Sequence, residues 1–364
     1  MKTPNTSQTE TTPSCTERES LVYILHSGRL FGTERMAIAT LVQLQTQFNC
    51  LLLAPDGEAM TFAKDQGLAA LSFSGHFQLV KQLWRVIIGQ AQVTLMCTGL
   101  GQSLVAIFLA AFGGVKLRHL HIVHGGTDDR LSYGRKKYLR FFAVDFVAVS
   151  AFVKQKLIEY GVPEQRVSVI ENFLTETSDQ QHPAFTTGIV NAIVVARLDP
   201  IKRVELLLDA YALDASLLNF PVTVFGTGWN QDSLRDRVKK ENLPILFFGY
   251  SHAIPSVLCT ADLLIHTCPE EPFGLVILEA MAAGIPVLVP DTGGPSSFIC
   301  DSVNGFVYRA NDPSHLAQRI KDIRQLPAAK IQQIVTTAKS LLEDRFAPSQ
   351  RIADYQILLK GGRL

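Results

Sequence analysis

Two acidic residues with seven between them, Glu271 and Glu279, bracket the stretch Glu271-Pro-Phe-Gly-Leu-Val-Ile-Leu-Glu279. Pro272 and Gly274 mark a loop, and the apolar run 275–283 behind them has the pattern of a helix. Glu271 then precedes the helix, and Glu279 lies about one and a half turns inside it. The backbone N–H groups of Phe273, Gly274, Leu275 and Val276 point out of the helix start, where the dipole adds partial positive charge. Carboxylates beside bare amides suit a ligand that carries both hydroxyls and phosphates. The alternative is an N-capping Glu271 and a solvated Glu279. Leu278, Ala280 and Met281 around Glu279 weigh against a solvated face.

A second constellation is cationic. Arg197 ends the apolar run 191–196, and Lys202 stands five residues on, at the entrance of the next helix. Two cations at a strand end beside a helix start clamp a phosphate, each contact contributing roughly 1.5–3 kcal/mol. A plain surface pair is the alternative. A third is Val123-His124-Gly125-Gly126, where a histidine ends a strand and can meet a sugar hydroxyl or a reacting group. A structural histidine is the alternative there, and His121 two residues earlier reads as structural.

These residues need strands that stop where loops begin. In the first half, strands are expected at 21–25, 50–54, 93–96, 119–123, 146–149 and 167–170. Helices are expected at 33–47, 60–66, 103–112, 134–142 and 151–160. A polar, aperiodic stretch at 174–188 reads as a linker. A second series follows, with strands at 191–196, 222–225, 245–248, 263–266 and 287–289. Its helices are expected at 204–213, 231–241 and 275–283, with a last helix at 349–360. Strands alternating with helices imply parallel sheets covered on both faces. Two series around one linker imply an α/β protein of two Rossmann-like domains facing a cleft, with ligands at the strand C-terminal ends.

At this point the residues resemble a known family, the GT4-type retaining glycosyltransferases of GT-B fold. The likeness runs from about Leu21 to Tyr355. It is carried by Phe-Gly-Thr-Glu (31–34), Val-His-Gly (123–125), the run 146–157, Val-Ser-Val-Ile-Glu-Asn-Phe (167–173) and Ala-Arg-Leu-Asp-Pro-Ile-Lys (196–202). Phe-Gly-Thr-Gly (225–228), the run 271–282 and Asn-Gly-Phe (304–306) complete it. The Glu-x7-Glu and Arg-x4-Lys segments in this order are specific together.

The resemblance implies that Arg197 and Lys202 hold the diphosphate of a nucleotide-sugar donor and that Glu279 binds ribose hydroxyls. Glu271 would contact the transferred sugar, helped by the amides of Phe273 and Gly274. Leu275, Val276 and Gly226 would also belong to the donor site. His124 would lie near the anomeric carbon and the acceptor. Gly32 would approach the donor phosphates from the other domain. His124, Glu271, Arg197 and Lys202 are the expected catalytic residues. The implied domains are a tail at 1–19, an acceptor-side domain at 20–173, a linker at 174–188 and a donor domain at 189–345. A helix at 346–364 would cross back to the first domain.

The chain departs from the family in two places. Phe31 precedes Gly32 where a second glycine is usual, and Glu171-Asn172-Phe173 replaces the usual Pro-Asn-Gly.

The implied reaction is transfer of a sugar to a glycan, lipid-linked or small-molecule acceptor with retained configuration. No cofactor and no metal are expected, and the chain holds no Asp-x-Asp. A phosphorylase or nucleotide-sugar epimerase on the same fold, or a non-catalytic binding protein, are the competing readings. A nicotinamide dehydrogenase is disfavoured, because no Gly-x-Gly-x-x-Gly follows 21–25. Between 116 and 142, seven Lys or Arg alternate with Tyr133, Tyr138, Phe141 and Phe142. That segment suggests peripheral contact with an anionic membrane face, an ordinary solvated helix being the alternative. The expected location is cytoplasmic, on or near that face.

Composition bounds the rest. The 364 residues are 47% apolar and 18% charged, enough to build large cores. Lys plus Arg is 34 against 33 Asp plus Glu, a balance that excludes bulk electrostatic nucleic-acid binding. The six cysteines form no CxxC, so neither a zinc site nor a disulfide framework is expected. Residues 1–20 are rich in Ser, Thr and Pro without an apolar core, which fits a disordered tail and not a signal peptide. The most apolar stretch, 104–115, falls short of the roughly 20 residues a bilayer requires.

Overall fold

The structure, a computed structural model, describes residues 18–126, 128–174 and 180–364. Most of the expected tail and part of the expected linker, at 1–17 and 175–179, lie outside these residues. The chain divides into two compact units, Met1–His121 and Ile122–Leu364.

The first unit alternates strand and helix. It holds β1 (Ser20–Ile24), α1 (Gly32–Leu44), β2 (Asn49–Pro55), α2 (Glu58–Asp65), β3 (Ala69–Phe73), α3 (His76–Ile87), β4 (Gln92–Cys97) and α4 (Leu100–Phe112). β5 (Lys116–Val123) begins in it. β1 is Leu-Val-Tyr-Ile almost throughout and shows no more than 2% exposure from Leu21 to Ile24, as expected of a central strand buried on both faces. Sequential strands here cannot form hairpins, because each is followed by a helix that crosses back over the sheet. His119 and His121 both hydrogen-bond the Ser103 hydroxyl, at 3.1 and 2.9 Å, inside this core. Both are structural.

The second unit continues with α5 (Asp129–Ser132), a 3-10 segment (Gly134–Phe141), β6 (Val144–Ala148), α6 (Ala151–Glu159) and β7 (Val167–Val169). It then builds β8 (Ala192–Val195), α7 (Glu205–Leu213), β9 (Val222–Phe225), α8 (Gln231–Glu241), β10 (Ile245–Gly249), α9 (Ile254–Leu258) and β11 (Leu264–Ile265). After these come α10 (Leu275–Ala283), β12 (Val287–Pro290), β13 (Phe306–Tyr308), α11 (Pro313–Arg324), α12 (Ala328–Arg345) and α13 (Pro348–Leu359). The strands form two sheets, ordered β3-β2-β1-β4-β5-β6-β7 and β10-β9-β8-β11-β12-β13. The paired strands with a described register are parallel throughout. This is the double Rossmann-like α/β architecture expected from the sequence.

The expected helix at 134–142 is corrected by the structure. It is 3-10 backbone over Gly134–Phe141, in which side chains three apart eclipse, preceded by a short α-turn at Asp129–Ser132. Lys136 is buried, and Arg140 and Lys137 lie over the rings of Phe141 and Tyr138.

The Glu171 departure has a clear structural role. Arg345, the last residue of α12, grips its carboxylate with a two-pronged bond, Nε to Oε2 at 2.9 Å and Nη2 to Oε1 at 2.6 Å. Arg351 of α13 approaches to 3.7 Å. Glu171 is 9% exposed but Arg345 is 35% exposed, so water screens part of the attraction. Glu171→Ala strands two cations and should lower stability by about 2 kcal/mol, a drop of roughly 4–8 °C in thermal unfolding followed by circular dichroism. Glu171→Gln, which keeps one acceptor, should lose less.

Candidate functional site

In the second sheet β8 and β11 are neighbours, while β9 and β12, the strands that flank them in the order, lie on opposite sides. The β8–β11 pair is therefore the point at which the strand order reverses, where ligands of open α/β sheets bind at the strand C-terminal ends. Arg197, Asp199 and a 3-10 turn (Pro200–Lys202) follow β8. His266, Thr267, Cys268 and the loop to α10 follow β11. The two loops are stitched together by the Thr267 hydroxyl, which donates to Lys202 O at 2.6 Å, and by Cys268 Sγ, 3.3 Å from Ile201 O.

At the centre, Lys202 Nζ donates to Glu271 Oε2 at 2.6 Å, with side chains only 18% and 12% exposed. His266 Nε2 stands 3.3 Å from the same oxygen. Burial by itself would raise the Glu271 carboxyl, but the Lys202 charge and the His266 contact outweigh it and hold it well below the usual range. Burial likewise acts to lower Lys202, and Glu271 more than reverses it, so the ammonium is held charged. Arg197, on the same loop, acts on Lys202 in the opposite sense. The Arg197 side chain is 45% exposed and pairs with Asp199 at 3.1 Å.

His266, Cys268 and Glu271 are the one group of three among the described residues whose ligand atoms, all within 4.8 Å, could hold a metal. The Lys202 ammonium already occupies Glu271, and burial pushes the Cys268 thiol up to about 11. A cation would have to displace one positive charge and strip a proton from the other ligand, so the set fits a metal poorly.

The loop Glu271–Gly274 is held from several sides. Ser150, which caps α6 by accepting from Val153 N, also donates to Pro272 O at 2.6 Å. Gly294 N donates to Glu271 O at 2.7 Å. Phe273 is buried against Phe298 and Phe346, with ring centroids 5.6 and 5.8 Å away. Gly125, which follows His124, has φ +82°, and a Cβ there would lie 2.8 Å from both Pro272 Cβ and the Tyr133 hydroxyl. Only glycine fits that turn, and it brings the half-buried His124 segment onto Pro272.

Gly274 is the N-cap of α10, so Leu275 and Val276 are its first two residues. Their amides, with those of Phe273 and Gly274, belong to the helix start as expected. Glu279 is half-buried within α10. Gly226 has φ +129° and donates to Gly249 O at 2.7 Å, and a Cβ would come within 2.9 Å of the Ala196 carbonyl carbon. Its glycine is required by backbone approach beside Arg197. Gly32 opens α1 and belongs to the first unit, where Glu34 accepts from Phe31 N at 3.1 Å.

The structure thus joins Lys202 to Glu271, places Arg197 five residues before Lys202 on the same loop, and brings the Gly125 turn beside His124 onto Pro272. Sequence reading missed His266, Thr267, Cys268, Ser150 and Tyr133. His266 and Ser150 stand at or just past the ends of expected strands, the same signal that pointed to Arg197 and His124. Tyr133 is buried, and burial with Asp129, Glu270 and Glu271 nearby pushes its hydroxyl well above the usual range, so it stays protonated.

Residues 32–176 match the family model described as Glycosyltransferase Family 4, and residues 176–340 match that described as Glycosyl transferases group 1. Lipopolysaccharide 1,6-galactosyltransferase of Escherichia coli (strain K12) is 31% identical over 194 residues, covering 50% of this chain and 53% of that protein. N-acetyl-alpha-D-glucosaminyl L-malate synthase of Bacillus anthracis is 25% identical, covering 57% and 58%. The chain spans about half the length of these relatives. Anabaena HepE in complex with UDP and glucose has the same fold, with TM-score 0.80 at 20% identity over 94% of this chain and 100% of that one. No helix among the described residues is long and apolar enough to cross a membrane. With two adjoining family models matched from residue 32 to residue 340 and the fold in agreement, the chain belongs to the GT4-type glycosyltransferase family of GT-B fold.

Proposed function

We propose that this chain transfers a sugar from a nucleoside-diphosphate-sugar donor to a glycan, lipid-linked or small-molecule acceptor, with retained configuration and without a metal. The observation that carries this reading is the buried Lys202–Glu271 pair beside Arg197 at the switch point of the second sheet. The site offers a cation for a diphosphate and a fixed carboxylate for hydroxyls 2.6 Å apart, with Arg197 on the same loop as the cation. HepE, whose fold this chain shares, binds UDP and UDP-glucose, and a uridine nucleotide is the first donor to try.

In the proposed reaction, the bond from the anomeric carbon to the diphosphate oxygen breaks and its electron pair leaves with the diphosphate. The acceptor hydroxyl oxygen bonds to the anomeric carbon on the same face, and its proton passes to the departing phosphate oxygen. Arg197, Lys202 and the α10 amides stabilise the charge that builds on the leaving group more in the transition state than before it. Glu271 and the amides of Phe273 and Gly274 hold the sugar, Glu279 the ribose, and His124 the reacting end. Glu271 is engaged with Lys202, which leaves it a positioning carboxylate and not a nucleophile.

Thermal-shift measurements with UDP-, GDP- and ADP-glucose test the proposal. One nucleotide-sugar should raise the melting temperature, by an amount matching about 2.7 kcal/mol at a hundredfold excess over Kd, and the shift should vanish in Lys202→Ala. No response to any of the three, or sugar release that requires inorganic phosphate, would overturn it.

A further inference from the structure

Outside the donor crevice, one surface of the first unit stands out. α3 buries Leu79, Leu83 and Ile87 against the core, yet the flank beside that stripe carries Phe77, Val80 and Trp84, which are 85%, 36% and 39% exposed. α4 packs beside it and adds Phe108 and Phe112, one turn apart, at 61% and 83% exposure. Trp84 and Phe112 meet with ring centroids 6.0 Å apart, so the two helices form one aromatic face. Exposed aromatics grouped in this way mark a docking surface.

The charge pattern says what docks. From residue 66 to residue 127, 62 consecutive residues, the chain contains no Asp or Glu, although 33 occur in the 364. The charged residues in that stretch are Lys81, Arg85, Lys116 and Arg118. Lys81 and Arg85 are exposed on the same outer side of α3 as the aromatics, and exposed Lys116 follows α4 by four residues. A second copy meeting this face would set these cations against their own kind, and residues 66–127 supply no acid to neutralise them. An anionic lipid surface supplies the missing charge, and Trp and Phe are the side chains that settle at the headgroup boundary.

We propose that the α3–α4 face is a monotopic docking surface for an anionic lipid bilayer, with Phe77, Trp84, Phe108 and Phe112 inserted at the interface and Lys81, Arg85 and Lys116 on the headgroups. None of these side chains is among the donor residues, so the inference does not rest on their chemistry. It also moves the expected membrane contact away from Arg135 and Lys137, in the segment where Lys136 is buried.

The test is flotation of the full chain with vesicles of phosphatidylcholine alone and of phosphatidylcholine mixed with phosphatidylglycerol. The chain should float with the anionic vesicles only. Phe77→Ser with Phe112→Ser should weaken binding by at least tenfold. Lys81→Glu with Arg85→Glu should do the same and flatten the salt dependence, each cation at such a surface contributing about fivefold. In a Trp229→Phe background, Trp84 emission should shift to the blue on binding. All four substitutions fall on exposed side chains, and unchanged circular dichroism and an unchanged nucleotide thermal shift would verify the fold. Absence of flotation, flotation of either double variant equal to that of the wild type, or loss of flotation only in Arg135→Glu with Lys137→Glu would overturn the proposal. So would a dimer in sedimentation velocity that Phe112→Ser dissolves.

Discussion

Lys202→Ala should lower kcat/KM for the donor by roughly 10²-fold, about 3 kcal/mol, because one change removes the proposed charged phosphate contact and Glu271's partner. The stranded carboxylate, still only 12% exposed, then takes up a proton more readily, and the fold loses stability as well. Glu271→Gln is the reciprocal test. It keeps the shape, leaves Lys202 for the diphosphate, and should lower kcat at least tenfold with less effect on donor KM. Wild-type kinetics in both variants would remove the site from consideration.

The same pair predicts a pH window. Glu271's ionisation is displaced downward, so its contribution is complete above the ordinary value of 4.5 and is lost as pH falls toward its folded value. Lys202 is displaced upward, so its contribution is complete below 10.5 and is lost as pH rises through its folded value. The stability difference between wild type and Glu271→Gln in urea should therefore be constant across neutral pH and shrink below pH 4.5.

Gly125→Ala should be the most damaging small substitution near the site. An L-residue at φ +82° costs roughly 1–2 kcal/mol of backbone strain. The new methyl must also push Pro272 or the Tyr133 hydroxyl from 2.8 Å, and Pro272 cannot yield easily while Ser150 holds its carbonyl. A total loss of about 2–3 kcal/mol, with turnover reduced 10- to 100-fold as Glu271 shifts, is the expected result of unfolding and steady-state measurements. Ser150→Ala loosens the same loop by a different route, removing a hydrogen bond and a helix cap worth about 1 kcal/mol each. Normal turnover in both would mean that the Pro272 contact has no bearing on catalysis.

Much of the fold was legible because its central strands are short apolar runs such as Val-Leu-Val at 287–289, flanked by glycine, proline and polar turns. What escaped has physical reasons. α3 is amphipathic, but its apolar arc is widened by the exposed Phe77, Val80 and Trp84, and the segment carries no N-cap side chain to mark where it starts. β13 is three residues long and set by pairing with β12, a non-local fact. The basic segment at 134–142 has residues that suit an α-helix, yet its short-range hydrogen bonds and the burial of Lys136 make it 3-10. At the site, residue types and spacing exposed the charged groups Arg197, Lys202 and Glu271. His266 and Ser150 escaped because their partners, Glu271 and Pro272, become neighbours only once strand order is known.

The chain leaves the first sheet and returns beside itself. Leu174 N donates to Phe346 O at 3.4 Å, next to the Glu171–Arg345 grip. The segment between therefore begins and ends at neighbouring points of the chain. Phe346 also rests on Phe273, so the point of return and the loop that carries Glu271 share one aromatic contact. A change at Phe346 is thus felt two residues from Glu271.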